Sequence, residues 1–212
     1  MSVCNMVVAA DRVDIVTDTV TYHRNQPVAY GRKVHAHPTL PLGVTVRGKV
    51  GFSNAVEGVV DQLTDTVNAE HLIGLAVECF AAAGMVDPVD GAGGEVTLFF
   101  WRDGPHVFRF MVRGTEVTQY RFKAGVYLAP SPGAVAKPNT LTLDQLRKVT
   151  LAQQRVSHAK GLNMAVGGTM EHTTLTAAGI STVSLGDYPD KAMTDRRIER
   201  YWRQRQKEAA VA

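Results

Sequence analysis

The sequence is poor in cysteine, and its two cysteines lie far apart. Cys4 and Cys79 are the only ones among 212 residues. Two cysteines at that separation form neither a disulfide framework nor a cysteine-rich zinc site. A reducing, cytoplasmic compartment is therefore the simpler setting.

Long apolar runs and a strong charge bias are also absent. No stretch approaches the length of a transmembrane helix, and the first residues lack the basic start of a signal peptide. The formal net charge is only +3, with much of the basic excess in residues 196–207. The sequence therefore lacks the overall excess of basic residues that is typical of a nucleic-acid-binding protein. We predict a protein with neither a nucleic-acid nor a membrane partner.

The composition is that of an ordinary globular protein. Hydrophobic residues make up 45% of the chain and charged residues 20%. This is enough apolar material for a substantial core that needs no disulfide or metal site to stabilise it. No internal repeat or low-complexity tract interrupts the sequence. We therefore predict a single domain over residues 1–212, with no cofactor and no metal.

Hydrophobic periodicity and turn residues predict the order of elements. Helices are expected at about 54–66, 69–83, 142–158 and 190–207, and a polar loop at 21–32. Strands are expected at 3–9, 13–20, 33–37, 42–47, 95–101, 106–112, 116–122, 125–129, 163–176 and 180–185. Blocks of hairpins that alternate with helices predict an α+β fold in which helices cover antiparallel sheets.

Three local signals support particular boundaries. Asp103-Gly104 tolerates the positive φ angles of a tight hairpin turn. Asn54 with Glu57, and Thr142 with Gln145, have the spacing of capping boxes that begin helices.

Four residues stand in an informative order near the N-terminus. Ser2 becomes the first residue once Met1 is removed, and Asp18 lies in Val-Thr-Asp-Thr. Lys33 lies in Arg-Lys-Val, and Gly48 in Thr-Val-Arg-Gly-Lys-Val-Gly. In these segments the chain resembles the N-terminal-nucleophile (Ntn) hydrolase superfamily, in particular proteasome β-type subunits and bacterial proteasome-like ring peptidases.

The resemblance implies a fold and an activity. The fold would be a four-layer αββα sandwich of two antiparallel sheets, and the chain would form a homo-oligomer. The activity would be hydrolysis of an amide or peptide bond, with Ser2, Asp18, Lys33 and Gly48 as the catalytic residues. Helices of such subunits stack between rings, so Val59, Val60 and Leu63 are candidates for an outward apolar surface.

Each of these four residue types would have a defined role in the hydrolysis of an amide bond. A serine hydroxyl needs a base, and a free α-amino group titrates near pH 8, about where the enzyme would work. Lys33 would favour the deprotonated forms of the amine and hydroxyl, and Asp18 would balance its charge. The Gly48 N–H would face the developing oxyanion.

Two departures leave a second hypothesis open. The family's supporting serine would fall on Val166, and its supporting aspartate on Asn163. A site without this support is loosely held. The alternative is therefore a catalytically inactive subunit that serves assembly or scaffolding.

Other candidate sites have simpler interpretations. His35 and His37 could bind a metal from one strand face, but no third ligand is evident, which favours a surface pair. Cys4 is internal and is better explained as a buried strand residue. The Arg-rich C-terminal segment is predicted to pack through Tyr201 and Trp202, with a solvated basic face.

Overall fold

A computed structural model describes residues 3–23, 26–48, 50–63, 69–86, 94–129, 142–159 and 166–210. These residues form four helices and twelve strands arranged in three antiparallel sheets. Ser2, Asn163 and the predicted end of the first helix lie outside the described residues. The predicted α+β class is confirmed.

Six strands precede the first helix, and four more follow the second. The first six are β1 (Cys4–Val8), β2 (Val13–Asp18), β3 (Val20–His23), β4 (Gln26–Tyr30), β5 (Val34–Ala36) and β6 (Leu42–Arg47). The next four are β7 (Gly94–Trp101), β8 (Pro105–Arg113), β9 (Glu116–Arg121) and β10 (Gly125–Ala129).

The helices and the last hairpin complete the order. Two helices lie between β6 and β7, namely α1 (Val50–Val60) and α2 (Ala69–Val86). The chain then continues through α3 (Leu143–Ala159), β11 (Thr169–Thr176), β12 (Gly179–Asp187) and α4 (Lys191–Ala209). Among the described residues, no helix is both long and apolar enough to cross a membrane.

Every strand pairing in the described chain is antiparallel. One sheet has the order β10-β1-β2-β11-β12, and a second has the order β5-β6-β7-β8-β9. The third is the isolated hairpin β3-β4. We call the first two sheets the N-terminal sheet and the central sheet. The prediction of antiparallel sheets without parallel crossovers is confirmed for these residues.

Apolar side chains of the two large sheets meet in one cluster. Met6 and Ile15 of the N-terminal sheet pack with Val34, Phe99 and Val107 of the central-sheet region. Ile15 and Phe99 are essentially inaccessible to solvent. Burying side chains of this size stabilises the fold by about 1.5–3 kcal/mol each, so this contact holds the sheets together.

Helices α1 and α2 cover the other face of the central sheet. Phe52, Val56 and Phe80 from these helices share a buried cluster with Leu98 and Phe110. The rings of Phe80 and Phe110 meet edge to face with centroids 5.1 Å apart, a geometry that adds about 0.5–1.5 kcal/mol to the burial. The spacing of the apolar residues in α1 and α2 thus determines which faces are buried.

Helix α3 packs on the N-terminal sheet through both apolar and polar contacts. Leu146 joins Val7 and Val16 in a buried cluster. Asn5 is fully buried, and its amide nitrogen donates to Gln153 Oε1 at 2.6 Å. Gln153 Nε2 donates back to Asn5 Oδ1 at 3.0 Å. The reciprocal amide pair satisfies polar groups that would otherwise be costly to bury.

Two of the local signals predicted their structures correctly. Asp103 has a φ of 53° and Gly104 a φ of 129°, as the tight β7-β8 turn requires. Thr142 Oγ1 accepts from Gln145 N at 3.3 Å, and Gln145 Oε1 accepts from Thr142 N at 2.8 Å. The reciprocal bonds of the second capping box therefore begin α3.

The predicted polar loop at 21–32 is wrong, because this segment forms the hairpin β3-β4. Helix α4 lies against β4, and Trp202 Nε1 donates to the Val28 carbonyl at 2.8 Å. Tyr30 also donates from its hydroxyl to Asp195 at 2.6 Å. The partner of this polar hairpin lies about 170 residues away in the sequence, where local patterns cannot reveal it.

The predicted start of the first helix is also wrong. Helix α1 begins at Val50, before Asn54, because Phe52, Val56 and Val60 form a buried stripe with helical spacing. Val60 and Leu63 face the core. They do not form the expected outward apolar surface.

Candidate functional site

The structure brings three of the four predicted site residues to one region. Asp18 ends β2, Lys33 directly precedes β5, and Gly48 directly follows β6. Ser2 lies outside the described residues, but its neighbour Val3 is described and fully buried. Asp18 therefore lies beside the start of the chain, Lys33 lies close enough to Asp18 for its charge to act on it, and Gly48 lines the same cavity as Lys33.

Asp18 is a buried carboxyl group held by backbone donors. Its Oδ1 accepts from the Val3 N–H at 2.9 Å. Burial raises the pKa of Asp18 to about 6, although the charge of Lys33 and the backbone N–H groups of Val3 and Gly167 oppose the shift. Within the described residues, Oδ2 has no hydrogen-bond partner. Asp18 thus fixes the backbone of the residue that follows Ser2.

Lys33 lies beside Asp18 without bonding to it directly. Its Nζ donates to Thr21 Oγ1 at 3.5 Å. Burial lowers the pKa of the Lys33 ammonium, while the negative charges of Asp18 and Glu57 act in the opposite direction. The lysine is therefore a partly desolvated cation that influences Asp18 through space.

Gly48 and Lys33 line the same cavity, whose volume is about 580 Å³. Its walls come from β3, the segment 31–33, the end of β6, and α1. A Cβ at Gly48 would lie 3.0 Å from a ring carbon of Phe52. The absence of a side chain thus lets the backbone border the cavity while Phe52 packs behind it.

Charged residues of both signs line this cavity. The cations are Arg32, Lys33 and Arg47, and the anions are Glu57 and Glu95. Glu95 accepts from Arg109 Nη2 at 2.5 Å and lies 3.4 Å from Arg47 Nη1. The half-buried arginines hold Glu95 in place, so this part of the cavity lining is polar and fixed.

Tyr188 is a residue of this region that sequence reasoning missed. It is 1% exposed, and its hydroxyl has no hydrogen-bond partner within the described residues. Burial raises the pKa of Tyr188, and the negative charges of Asp18 and Asp190 add to that effect. Tyr188 follows the last strand in an Asp-Tyr-Pro-Asp turn, where no pattern indicates burial.

Val166 lies next to the start of the chain, where the resemblance had implied a serine. It is fully buried and packs with Val3, Met170 and Tyr188. This contact is apolar, so Val166 supplies no hydroxyl to the site. Asn163 lies outside the described residues.

The histidine pair serves local structure. His35 Nε2 lies 2.7 Å from Asp61 Oδ1, and His37 Nδ1 accepts from the Leu40 N–H at 2.9 Å. Over the parts of the chain that are described, no group of three His, Cys, Asp or Glu residues could hold a metal ion.

Cys4 is a weak nucleophile in this setting. Its Sγ lies 3.6 Å from Thr45 Oγ1. Burial raises the pKa of the Cys4 thiol, and the thiol rather than the more reactive thiolate is therefore favoured.

Three solved structures illustrate the fold that this chain shares. A Gly-1 mutant of Anbu from Hyphomicrobium sp. strain MC1 is 12% identical, with a TM-score of 0.62 over 100% of this chain and 98% of its own. Anbu (ancestral beta-subunit) from Yersinia bercovieri has a TM-score of 0.60 at 12% identity, covering 99% and 97% of the two chains. Anbu from the same Hyphomicrobium strain has a TM-score of 0.58 at 11% identity, again covering 99% and 97%.

The family membership implied by the sequence resemblance is wrong as an assignment. No family model and no curated protein matches the chain. Short segments around four residues are too little sequence to define a family. The chain is similar in fold to Anbu over nearly its whole length.

Proposed function

We propose that the chain is an amide- or peptide-bond hydrolase whose nucleophile is the hydroxyl of Ser2, made N-terminal by removal of Met1. The observation that carries the proposal is the 2.9 Å hydrogen bond from the Val3 N–H to the buried Asp18 carboxyl group. This bond ties the start of the chain to the region of Lys33 and Gly48. The likeness of fold to Anbu is consistent with it.

Each residue has a defined part in the proposed reaction. The Ser2 α-amino group takes the hydroxyl proton as the oxygen attacks the substrate carbonyl carbon. The Gly48 N–H donates to the developing oxyanion. As the C–N bond breaks, the ammonium returns the proton to the leaving amine, and water then hydrolyses the acyl ester. Lys33 keeps the amine deprotonated by its charge, and Asp18 balances Lys33.

The proposal includes a structural arrangement that the packing supports. Helices α1 and α2, the central sheet, the N-terminal sheet and α3 share three successive buried clusters. This succession is what a four-layer αββα sandwich of one domain requires. The free thiols of Cys4 and Cys79 fit a cytoplasmic setting, and the protein is proposed to act as a homo-oligomer.

A specific observation favours a second candidate, an inactive subunit that serves assembly. Val166 gives the start of the chain an apolar neighbour, and Asp18 and Lys33 are not directly bonded. A site with these features lacks tight preorganisation.

The two candidates are separated by blocking the terminal amine. Three chains are compared on a panel of fluorogenic peptide amides: one that begins at Ser2, one with three residues added before Ser2, and one with the same residues added after Ala212. An amide nitrogen cannot serve as the base, so activity should remain in the first and third chains only. Equal activity in all three would rule out the terminal amine, and inactivity of all three would favour assembly.

A further inference from the structure

The β3-β4 hairpin stands apart from the two large sheets. Its pairing runs from Val20 opposite Tyr30 to His23 opposite Gln26. Among the described residues, it pairs with no third strand. A two-stranded hairpin by itself is marginally stable in water. The position of this hairpin therefore depends on contacts with other elements of the chain.

The end of the hairpin next to β2 is anchored by its own chain. Val20 is 1% exposed, and the Gly31 N–H donates to the Thr19 carbonyl at 2.8 Å. These contacts fix the point at which the hairpin leaves the N-terminal sheet. They leave most of β4 to be held by another element.

Helix α4 holds β4 at two points. Trp202 Nε1 donates to the Val28 carbonyl at 2.8 Å, and the Tyr30 hydroxyl donates to Asp195 Oδ1 at 2.6 Å. We call these four residues, Val28, Tyr30, Asp195 and Trp202, the α4 clamp. Its two attachment points on the helix are seven residues, or about 10 Å, apart. Two separated bonds fix the direction of β4 as well as its position.

The ring of Tyr30 adds packing to the α4 clamp. A Cβ at Gly168 would lie 2.8 Å from two carbons of this ring, and Lys191 Nζ lies 5.3 Å from the ring centroid. Lys191 is also 3.5 Å from Asp195, the hydrogen-bond partner of Tyr30. The ring thus lies between α4 and the turn before β11, and its removal would loosen the hairpin further than loss of the hydroxyl alone.

The clamped hairpin forms a wall of the cavity at the candidate site. Thr21, Tyr22 and Gly31 line this cavity, and Thr21 Oγ1 accepts from Lys33 Nζ at 3.5 Å. Of the described residues of α4, none lines the cavity. Helix α4 can therefore influence the cavity only through the elements that it contacts, and β4 is one of them.

We propose that α4 is a strap that holds the β3-β4 hairpin in place as a wall of the cavity, with Tyr30 and Trp202 as positioning residues for substrate binding. When the strap is released, only a fraction of the chains keeps the wall in place, and the apparent affinity for substrate falls by that fraction. The statement about substrate rests on the proposed hydrolase function, whereas the strap itself does not depend on it.

Two variants of different severity test the strap. The phenylalanine variant, Tyr30→Phe with Trp202→Phe, keeps both aromatic side chains and removes the two hydrogen bonds. The alanine variant, Tyr30→Ala with Trp202→Ala, removes the packing as well. Hydrogen exchange measured by mass spectrometry should be about tenfold faster over residues 20–31 in the phenylalanine variant, and faster still in the alanine variant. Exchange over residues 94–113, in β7 and β8, should not change.

The reactivity of Lys33 gives a second readout that needs no catalysis. The chains are treated with acetic anhydride, and acetylation of Lys33 is compared with that of the exposed Lys123 in the same chain. Because Thr21 lies against the Lys33 amine, displacement of the hairpin should speed acetylation of Lys33 in the alanine variant. The phenylalanine variant should show a smaller increase, since it retains the packing of the rings.

The matched control removes comparable groups outside the α4 clamp. Tyr120→Phe removes the hydroxyl of an exposed tyrosine on β9, and Glu199→Gln removes the partner of Arg203 within α4. This double variant should match the unaltered chain in the exchange of residues 20–31 and in the acetylation of Lys33. It separates release of the hairpin from a general weakening of α4.

The consequence for substrate is measured on a peptide amide with the chains that begin at Ser2. The KM of the alanine variant should be at least about fivefold higher, because substrate binds only the chains whose wall is in place. Its kcat should stay within about twofold, because saturating substrate selects those chains. The phenylalanine variant should show a smaller rise in KM.

Three outcomes would overturn the proposal. One is an alanine variant in which residues 20–31 exchange as slowly as in the unaltered chain, and another is equal acceleration over residues 94–113. The third is a fall in kcat at unchanged KM. Absence of hydrolysis by every chain would instead count against the proposed function, and exchange together with Lys33 acetylation would still decide whether the strap exists.

Discussion

At the scale of residues, the central feature is a carboxyl group buried at the end of β2. Asp18 is inaccessible to solvent and accepts a hydrogen bond from the Val3 N–H. Its raised pKa means that the folded state binds a proton more tightly there than the unfolded state does. The same burial that holds the start of the chain therefore makes stability depend on pH.

The pH dependence can be isolated with Asp18→Asn, which keeps an acceptor for the Val3 N–H and carries no charge. The folded pKa of Asp18 is about 6, against an ordinary value of 3.8. The stability that Asp18 contributes is therefore full below about pH 4 and is lost as the pH rises through 6. The loss is about 3 kcal/mol.

Urea unfolding of both chains from pH 4 to pH 7.5 measures this loss. The free energy of unfolding of the unaltered chain should fall relative to that of Asp18→Asn over this range. Titrating groups away from this region, such as Asp14, are common to both chains and cancel in the difference. Parallel curves would mean that Asp18 titrates at an ordinary pKa.

The sequence predicted part of this region because some of its residues lie in short motifs at strand ends. Asp18 ends a strand, Lys33 precedes one and Gly48 follows one, and the alternation of side chains reveals these strands. Tyr188 gave no such signal, because its burial depends on Val3, Val166 and Met170, which come from three other parts of the chain. Local patterns do not encode such contacts.

At the scale of elements, the turn before β11 positions several groups near Asp18. Gly168 has a φ of 79°, and its carbonyl accepts from the Tyr188 N–H at 2.9 Å. The next residue, Thr169, donates from its N–H to Thr19 Oγ1 at 2.9 Å. A Cβ at Gly168 would lie 2.5 Å from that same oxygen.

Gly168→Ala should consequently destabilise the protein by about 1–3 kcal/mol through backbone strain, with a further cost from the contact with Thr19. Gly58→Ala is the matched control, since a Cβ there meets no atom within 4 Å and the site lies inside α1. That change should stabilise by about 0.5–1 kcal/mol. Urea denaturation of both variants measures the difference, and equal effects would contradict the assigned strain.

The polar link between α3 and the N-terminal sheet offers a second test. Asn5→Ala removes both hydrogen bonds between Asn5 and the buried amide of Gln153 and should cost about 1–3 kcal/mol. Replacing both residues by leucine removes both buried amides and should recover much of the loss. If the double variant is as unstable as the single one, the amide pair is not the source of the cost.

Elements whose geometry is determined by neighbouring residues were predicted from the sequence, and elements that depend on distant contacts were not. The β7-β8 hairpin and the start of α3 were predicted because Asp103-Gly104 and Thr142 with Gln145 determine backbone geometry within four residues. The β3-β4 hairpin was missed because α4 provides its contacts. The start of α1 was missed because the core packing of Phe52, Val56 and Val60 outweighed a capping motif at Asn54.

At the scale of the whole molecule, successive buried clusters join helices and sheets so that the ends of β2 and β6 and the start of β5 lie in one region. The proposed chemistry therefore uses residues that distant segments of the chain bring together.

Covalent labelling tests the proposed nucleophile most directly. The chain that begins at Ser2 is treated with a hydroxyl-reactive peptide electrophile, and intact mass spectrometry followed by peptide mapping locates the adduct. One adduct is expected, on Ser2; it should be absent from Ser2→Ala and strongly reduced in the chain extended before Ser2, while the chain extended after Ala212 reacts normally. An adduct on another residue, or equal labelling of the chain extended before Ser2, would show that Ser2 is not an N-terminal nucleophile.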